Sequence, residues 1–208
     1  YGQSIVSYTG TGSAANVGHG LSSAPEMIIH KNRSAVDDWS TWHTELGTGK
    51  KLRLNLTNGS GNTSNYPTLP TSSLFYVGAG VEVNGSGNNM IAYCFHSVTG
   101  YSKIGSYTGN GSSTGPSVTL GFAPAFLVIK RTDSSTSGGW NIWDNVRDNT
   151  NPNNTILEAH DSPTEVSHSN YDIDFTATGF QIKSTYAGTN ASGGTYIYMA
   201  FADKREYA

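Results

Sequence analysis

Apolar residues along this chain form short runs, separated by segments rich in Gly, Ser, Thr and Asn. Apolar and polar residues alternate strictly over residues 51–55, which indicates a strand with one buried and one solvated face. Residues 90–95 and 196–201 are continuously apolar, as expected for central strands covered on both faces. No segment keeps a 3.6-residue apolar period over the length of a helix. The pattern therefore predicts an all-β chain.

The predicted strands are short, rich in β-branched or aromatic residues, and bounded by Gly, Asn or Ser turns. In the first half they cover residues 3–8, 26–31, 51–55, 73–77 and 89–95. In the second half they cover residues 101–107, 125–131, 140–144, 154–158, 171–175, 180–183 and 195–201. Short strands with frequent turns predict an antiparallel β-sandwich or jelly roll.

An internal repeat organises the chain. The sequence Ser-Tyr-Thr-Gly-x-Gly occurs at residues 7–12 and again at 106–111, and an Ala-Pro pair precedes an apolar strand in both halves. Trp39 and Trp42 match Trp140 and Trp143, with two residues inserted in the second copy. These ordered blocks predict two homologous repeats, at residues 1–99 and 100–208.

Composition narrows the class of protein. Charged residues make up 13% of the chain, about half the usual share, and no Lys/Arg cluster reaches the density of a nucleic-acid groove. No apolar run is long enough to cross a membrane. Cys94 is the single cysteine, so an intrachain disulfide is excluded, which fits folding in a bacterial cytoplasm. We expect neither a nucleic-acid partner nor membrane insertion.

The sequence contains no recognised catalytic or metal motif, and its six histidines are scattered. We therefore expect no enzymatic activity and no cofactor. Asp144 and Asp148 begin a run of Asp and Asn side chains that calcium could use, but the run lacks the spacing of an established calcium loop. An Asn/Asp-rich turn is the preferred interpretation. Asp172 and Asp174 leave glycosidase chemistry as a third alternative.

The paired tryptophans suggest a binding site. Positions three apart on a strand face opposite sides, so we expect one Trp of each pair in the core and the other facing outward. An exposed ring beside Asp, Asn and Arg suits sugar binding, because the ring contacts C–H faces while polar groups bind hydroxyls. The alternative is that both rings are core and the charges are solvated. The predicted ligand-binding residues are Trp42, Asp38, His43, Trp143, Asp144, Arg147 and Asp148.

Residues 100–111, 121–133, 140–144 with Arg147, and 193–201 resemble a repeat common in structural proteins of tailed phages, especially marine and cyanobacterial phages. Such repeats are described as tail-fibre or LamG-like, concanavalin-like modules. The resemblance implies a lectin-like β-sandwich on the virion surface, folded in the host cytoplasm. It also implies a host cell-surface glycan and other fibre subunits as partners, and by analogy with fibres a trimer.

Three functions follow from these observations. The first is a non-enzymatic receptor-binding domain that attaches to a host-surface glycan, with two copies providing avidity. The second is a purely structural component of the virion or fibre, in which both Trp pairs are buried. The third is a tail-spike polysaccharide hydrolase, which requires two carboxylates facing each other across a groove, and its candidates are Asp144, Asp148, Asp172 and Asp174.

Overall fold

A computed structural model of the chain describes residues 2–136 and 138–203. The chain divides into two compact units, residues 1–96 and 97–208. The division lies three residues before the predicted boundary between residues 99 and 100.

The first unit consists of short strands with one four-residue helix and a 3-10 turn at Thr44–Leu46. Its elements are β1 (Gln3–Thr9), β2 (Ala15–Gly18), β3 (Met27–Asn32), β4 (Ser40–His43), β5 (Lys50–Arg53), β6 (Gly61–Asn62), β7 (Leu74–Val77), α1 (Val81–Asn84) and β8 (Asn89–Phe95).

Two antiparallel sheets make up the first unit. A six-stranded sheet has the order β1-β8-β3-β4-β5-β6, and β2 pairs with β7 in a second, two-stranded sheet. The alternation of side chains brings Ile28 of β3, Trp42 of β4 and Cys94 of β8 into one apolar cluster with Phe75 and Val77 of β7. Burial of these side chains between the two sheets supplies the main stabilisation of the unit.

The second unit also carries one four-residue helix and a 3-10 turn, at Ser169–Tyr171. Its elements are β9 (Ser102–Thr108), β10 (Ser117–Thr119), β11 (Pro124–Arg131), β12 (Trp140–Asp144), β13 (Thr155–Glu158), β14 (Val166–Ser167), β15 (Ile173–Thr176), β16 (Gly179–Ile182), α2 (Ala187–Asn190) and β17 (Thr195–Ala202).

The second unit has the same strand order in its large sheet, β9-β17-β11-β12-β13-β14. Its small sheet has three strands, β10-β16-β15, because β15 has no counterpart in the first unit. Leu127, Trp143 and Tyr198 of the large sheet pack with Phe180 and Ile182 of β16 in the core.

Strand register is the same in both large sheets. Ile28 pairs with Trp42 in the first unit, and Leu127 pairs with Trp143 in the second. β8 follows α1 in the chain, and β17 follows α2. Each of these two strands pairs with a neighbour on both sides in its large sheet. The two large sheets therefore agree in strand order and in the register of this pair of strands.

The Tyr of each Ser-Tyr-Thr-Gly motif binds the short helix of its own unit. The Tyr8 hydroxyl donates to the carbonyl of Val83, and the Tyr107 hydroxyl donates to the carbonyl of Thr189 at 2.7 Å. The repeated motif thus has a structural use in both units.

The prediction of an all-β chain with antiparallel sheets is confirmed. Asn89–Phe95 and Trp140–Asp144 have the predicted bounds, and the other predicted strands are observed with ends shifted by at most two residues. The sequence pattern missed β2, β4, β6, β10 and β14. In the described part of the chain no helix has the length and apolar character needed to cross a membrane.

Candidate ligand-binding site

The rings of Trp42 and Trp143 are core residues. Their exposed fractions are 2% and 0%. The Trp42 Nε1–H donates to the Gly47 carbonyl at 2.8 Å, and the Trp143 Nε1–H donates to the Tyr171 carbonyl at 3.0 Å. Each indole therefore fills the core and satisfies its only polar atom within its own unit.

The expectation that one ring of each pair faces outward is wrong for the second unit, because Trp140 and Trp143 are both fully buried. They lie on opposite faces of β12, so both faces are covered at this strand. In the first unit Trp42 is buried and Trp39 is half-buried, and Trp39 stacks on Tyr93 with ring centroids 6.4 Å apart. Neither Trp42 nor Trp143 offers a surface on which a sugar could stack.

Polar side chains near Trp42 bind other parts of the first unit. Asp38 pairs with Arg53 at 2.8 Å between Oδ2 and Nε, and its Oδ1 accepts a hydrogen bond from Asn55 at 2.9 Å. His43 is fully buried, and its Nδ1 accepts a hydrogen bond from the Glu45 amide at 3.2 Å, which caps the 3-10 turn. Asp38 and His43 thus have structural contacts.

Asp144 and Arg147 hold the start of the loop between β12 and β13. Asp144 Oδ1 accepts the amides of Val146 and Arg147, and the Arg147 Nε donates to Asp144 Oδ2 at 2.6 Å. The Arg147 guanidinium also donates to Glu165 at 2.9 Å and to the Ile142 carbonyl at 3.2 Å. Burial by itself raises the pKa of Asp144, but the hydrogen bonds from Arg147 and Val146 hold it below its usual value.

Asp148 organises the rest of the same loop. Its Oδ1 accepts the amide and the hydroxyl of Thr150, and its Oδ2 accepts the amide of Asn154 at 3.1 Å. Burial tends to raise the pKa of Asp148, but the bonds from Thr150 and Asn154 outweigh it and lower the pKa. The preferred interpretation, an Asn/Asp-rich turn, describes how Asp144 and Asp148 are used.

A surface pocket of about 260 Å³ opens beside this loop in the second unit. Ala123 and Pro124 line it at the start of β11, residues 145 and 148–151 line it from the loop, and residues 175–177 line it from the end of β15 and the position after it. Asn151 joins the loop to β15, since its side chain donates to the Phe175 carbonyl at 2.8 Å and accepts from the Phe175 amide at 2.9 Å. We call this the β15 pocket.

The β15 pocket is built where the two units differ. The β4–β5 connection has six residues, 44–49, whereas the β12–β13 connection has ten, 145–154. The second wall comes from β15, which the first unit lacks. The Ala-Pro pair that occurs in both units lines one part of the pocket, and the longer connection and β15, which differ between the units, line the rest.

Besides the carboxylate of Asp148, the pocket offers neutral polar groups beside one aromatic residue. Asn149 and Thr176 are exposed, and within the described residues their side chains make no hydrogen bond. Phe175 is half-buried and contributes the aromatic lining. Asn145 donates to Asp203 at 3.1 Å. This combination of amides, a hydroxyl and an aromatic residue can bind a polyhydroxylated ligand.

Of the predicted site residues, Asp148 alone is among those that line the β15 pocket. Sequence reasoning missed Asn149, Thr176 and Phe175 as pocket residues. The available signal was the spacing from the Trp pair to the next predicted strand, which is longer in the second half, from Trp143 to residue 154, than in the first, from Trp42 to residue 51.

Asp172 and Asp174, which were considered for hydrolysis, each have a different environment. Asp174 lies 3.6 Å from the Lys183 ammonium. Asp172 caps the 3-10 turn, and its Oδ1 is buried without a hydrogen bond from any described residue. Within residues 2–136 and 138–203, no three His, Cys, Asp or Glu side chains are grouped as a metal site requires.

No curated protein and no solved structure matches the sequence. Residues 1–205 match a family described as a domain of unknown function, DUF7483, and the matched range covers the first unit and residues 97–205 of the second. The chain therefore belongs to the DUF7483 family.

Proposed function

We propose that the chain is a non-enzymatic recognition domain that binds a host-surface glycan in the β15 pocket. The observation that carries the proposal is the combination of Phe175 with the hydrogen-bonding side chains of Asn149 and Thr176 in one surface cavity. Sugars present C–H faces to aromatic residues and hydroxyls to amides and hydroxyl groups. Asn149 and Thr176 can accept such a ligand without breaking an internal hydrogen bond.

The surrounding loop supports recognition because it is held in place before a ligand arrives. Asp148 and Asn151 fix the loop through hydrogen bonds to its own backbone and to β15. A site that is already ordered loses less conformational entropy on binding.

The biological setting in this proposal is the exposed part of a phage tail fibre. Its support is the resemblance to tailed-phage fibre repeats together with the low charge of the chain. Other fibre subunits, in a trimer by analogy, are the proposed protein partners. The proposed location is the virion surface, after folding in the host cytoplasm.

We also propose that each unit is a β-sandwich and that the two are diverged copies of one repeat. Support comes from the matching strand order of the large sheets and from the matching register of Ile28–Trp42 and Leu127–Trp143. Divergence then explains how one copy kept the fold while the other acquired the β15 pocket.

The test is a glycan array probed with the whole chain and with an Asn149→Ala, Thr176→Ala double variant. We expect saturable binding to a subset of glycans, which the double variant loses while it unfolds at the wild-type temperature. Asn62→Ala, Thr68→Ala is the matched control, since both side chains are exposed in the first unit and make no hydrogen bond with any described residue. Binding that survives in the pocket variant contradicts the proposed site.

A purely structural role in the virion is the second candidate, and the burial of Trp42 and Trp143 favours it. In that case the repeated Trp and Ser-Tyr-Thr-Gly positions are required for folding, and no ligand binds. The array separates the two candidates, because a structural component binds no glycan with either the wild-type or the variant chain.

A further inference from the structure

We infer that the β15 pocket selects an uncharged sugar residue and discriminates against sugars that carry a carboxylate. The inference rests on the proposed glycan recognition at the same pocket and specifies its ligand class. It depends on the charges around the cavity and on the size of the cavity.

The described residues that line the pocket include one carboxylate, Asp148, and neither Lys nor Arg. Recognition of a carboxylated sugar usually requires a cation or a set of well-placed donors. The nearest guanidinium along the chain belongs to Arg147, which is bound by Asp144 and Glu165. Its charge is thus compensated within the unit.

Asp148 keeps the pocket negative over the physiological pH range. Its oxygens accept three hydrogen bonds from Thr150 and Asn154, and these lower its pKa. A sugar carboxylate brought into the same small cavity comes close to this charge, and like charges at short distance repel each other. An uncharged sugar avoids the repulsion and can still use the amide of Asn149.

The cavity is also small. Its volume of about 260 Å³ lies below the range of roughly 300–1,000 Å³ that holds a drug-sized ligand. The loop and β15 close it on two sides, so it accommodates one sugar residue more readily than an extended chain. The ligand expected from these dimensions is one uncharged residue at the end of a glycan.

The experiment measures affinity for pairs of oligosaccharides that differ only in the terminal residue, a neutral hexose in one and the corresponding hexuronic acid in the other. We expect wild type to bind the neutral member at least about tenfold more tightly. An Asn149→Lys variant places a cation at the pocket and should reduce or reverse that preference. Asn62→Lys, on the first unit, gives the same net charge and should leave the preference unchanged.

The experiment distinguishes a failure of the charge selection from a failure of the proposed glycan site. If the hexuronic acid binds as tightly as the hexose, and Asn149→Ala, Thr176→Ala abolishes both, the pocket binds glycan but the charge selection is wrong. If neither sugar binds, or if the pocket variant binds both normally, then the site and the selection are both wrong.

Discussion

Asn84 and Asn190 occupy the same place in the two units, as the last residue of a four-residue helix with a fully buried side chain. Asn84 Oδ1 accepts the Thr11 amide and Asn190 Oδ1 accepts the Asn110 amide, both at 2.8 Å. Each Nδ2 donates to two backbone carbonyls of its own unit. In each unit, one asparagine side chain therefore holds the loop that follows the Ser-Tyr-Thr-Gly motif.

This arrangement predicts that Asn84→Ala and Asn190→Ala are both strongly destabilising. Each substitution removes the hydrogen bonds to a loop amide and to two carbonyls, of which that of Gly78 or Ser184 is buried, and the expected loss in the free energy of unfolding is about 3 kcal/mol. Urea denaturation of the two variants measures it. Asn62→Ala serves as the exposed control and should change stability by less than about 0.5 kcal/mol. Equal stability of all three variants contradicts the assigned role.

The Gly of each Ser-Tyr-Thr-Gly motif should be required for a steric reason. A Cβ at Gly10 would lie 2.1 Å from the Gly85 carbonyl oxygen, and a Cβ at Gly109 would lie 2.3 Å from the Ala191 carbonyl oxygen. Both neighbours are backbone atoms, so Gly10→Ala and Gly109→Ala should lower the unfolding temperature. Gly61→Ala is the control because a Cβ there meets nothing within 4 Å. A Gly10→Ala protein as stable as Gly61→Ala contradicts this prediction.

Trp42 and Trp143 should contribute to the stability of the fold and not to ligand binding. Trp42→Ala and Trp143→Ala each remove a buried indole and its hydrogen bond, and we expect each to cost about 3–5 kcal/mol of unfolding free energy. Trp42→Phe and Trp143→Phe keep most of the apolar volume and should cost less. Variants that remain fully stable yet lose glycan binding would show that Trp42 and Trp143 contribute to ligand binding, which contradicts this prediction.

His30 should make the first unit sensitive to acid. It is fully buried among Tyr8, Tyr66 and Phe75, and burial lowers its pKa to about 3. Between this pKa and the usual value of about 6.5, the unfolded chain binds a proton that the folded chain does not. Stability at this site is therefore full above about pH 6.5 and falls by up to about 1.4 kcal/mol per pH unit as the pH decreases toward 3.

The variant that checks this is His30→Ile, because Ile129 has the matching register position in the second unit. It should flatten the dependence of unfolding free energy on pH between 6.5 and 4, even if losing the 3.1 Å contact with the Tyr66 hydroxyl lowers stability at pH 7. The measured quantity is the slope of unfolding free energy against pH. A slope that is the same in wild type and His30→Ile means that His30 does not cause the acid sensitivity.

Many of the strands could be predicted from the local pattern of apolar and aromatic residues in the sequence. The apolar composition of Asn89–Phe95 and the aromatic residues of Trp140–Asp144 gave both strands their observed bounds. β4, at Ser40–His43, was missed because it is only four residues long and begins and ends on polar Ser and His, although β12, at the same position in the other large sheet, was predicted. β2, at Ala15–Gly18, contains Asn and Gly, and pairing with β7 determines its conformation.

The candidate site was less accessible to sequence reasoning. The two-residue period of a strand shows that Trp140 and Trp143 face opposite sides, but it does not show whether each side is covered. The β15 pocket depends on a contact between Asn151 and Phe175, which are 24 positions apart in the chain. Such a pairing becomes visible only in three dimensions.

The most direct test of the account is an NMR titration of the ¹⁵N-labelled chain with a glycan that is selected by the array. We predict saturable shifts of the backbone amides of Asn149, Thr150 and Thr176, with the indole N–H signals of Trp42 and Trp143 unchanged. Shifts confined to another surface, or the absence of saturable shifts with every glycan tried, would contradict glycan recognition in the β15 pocket.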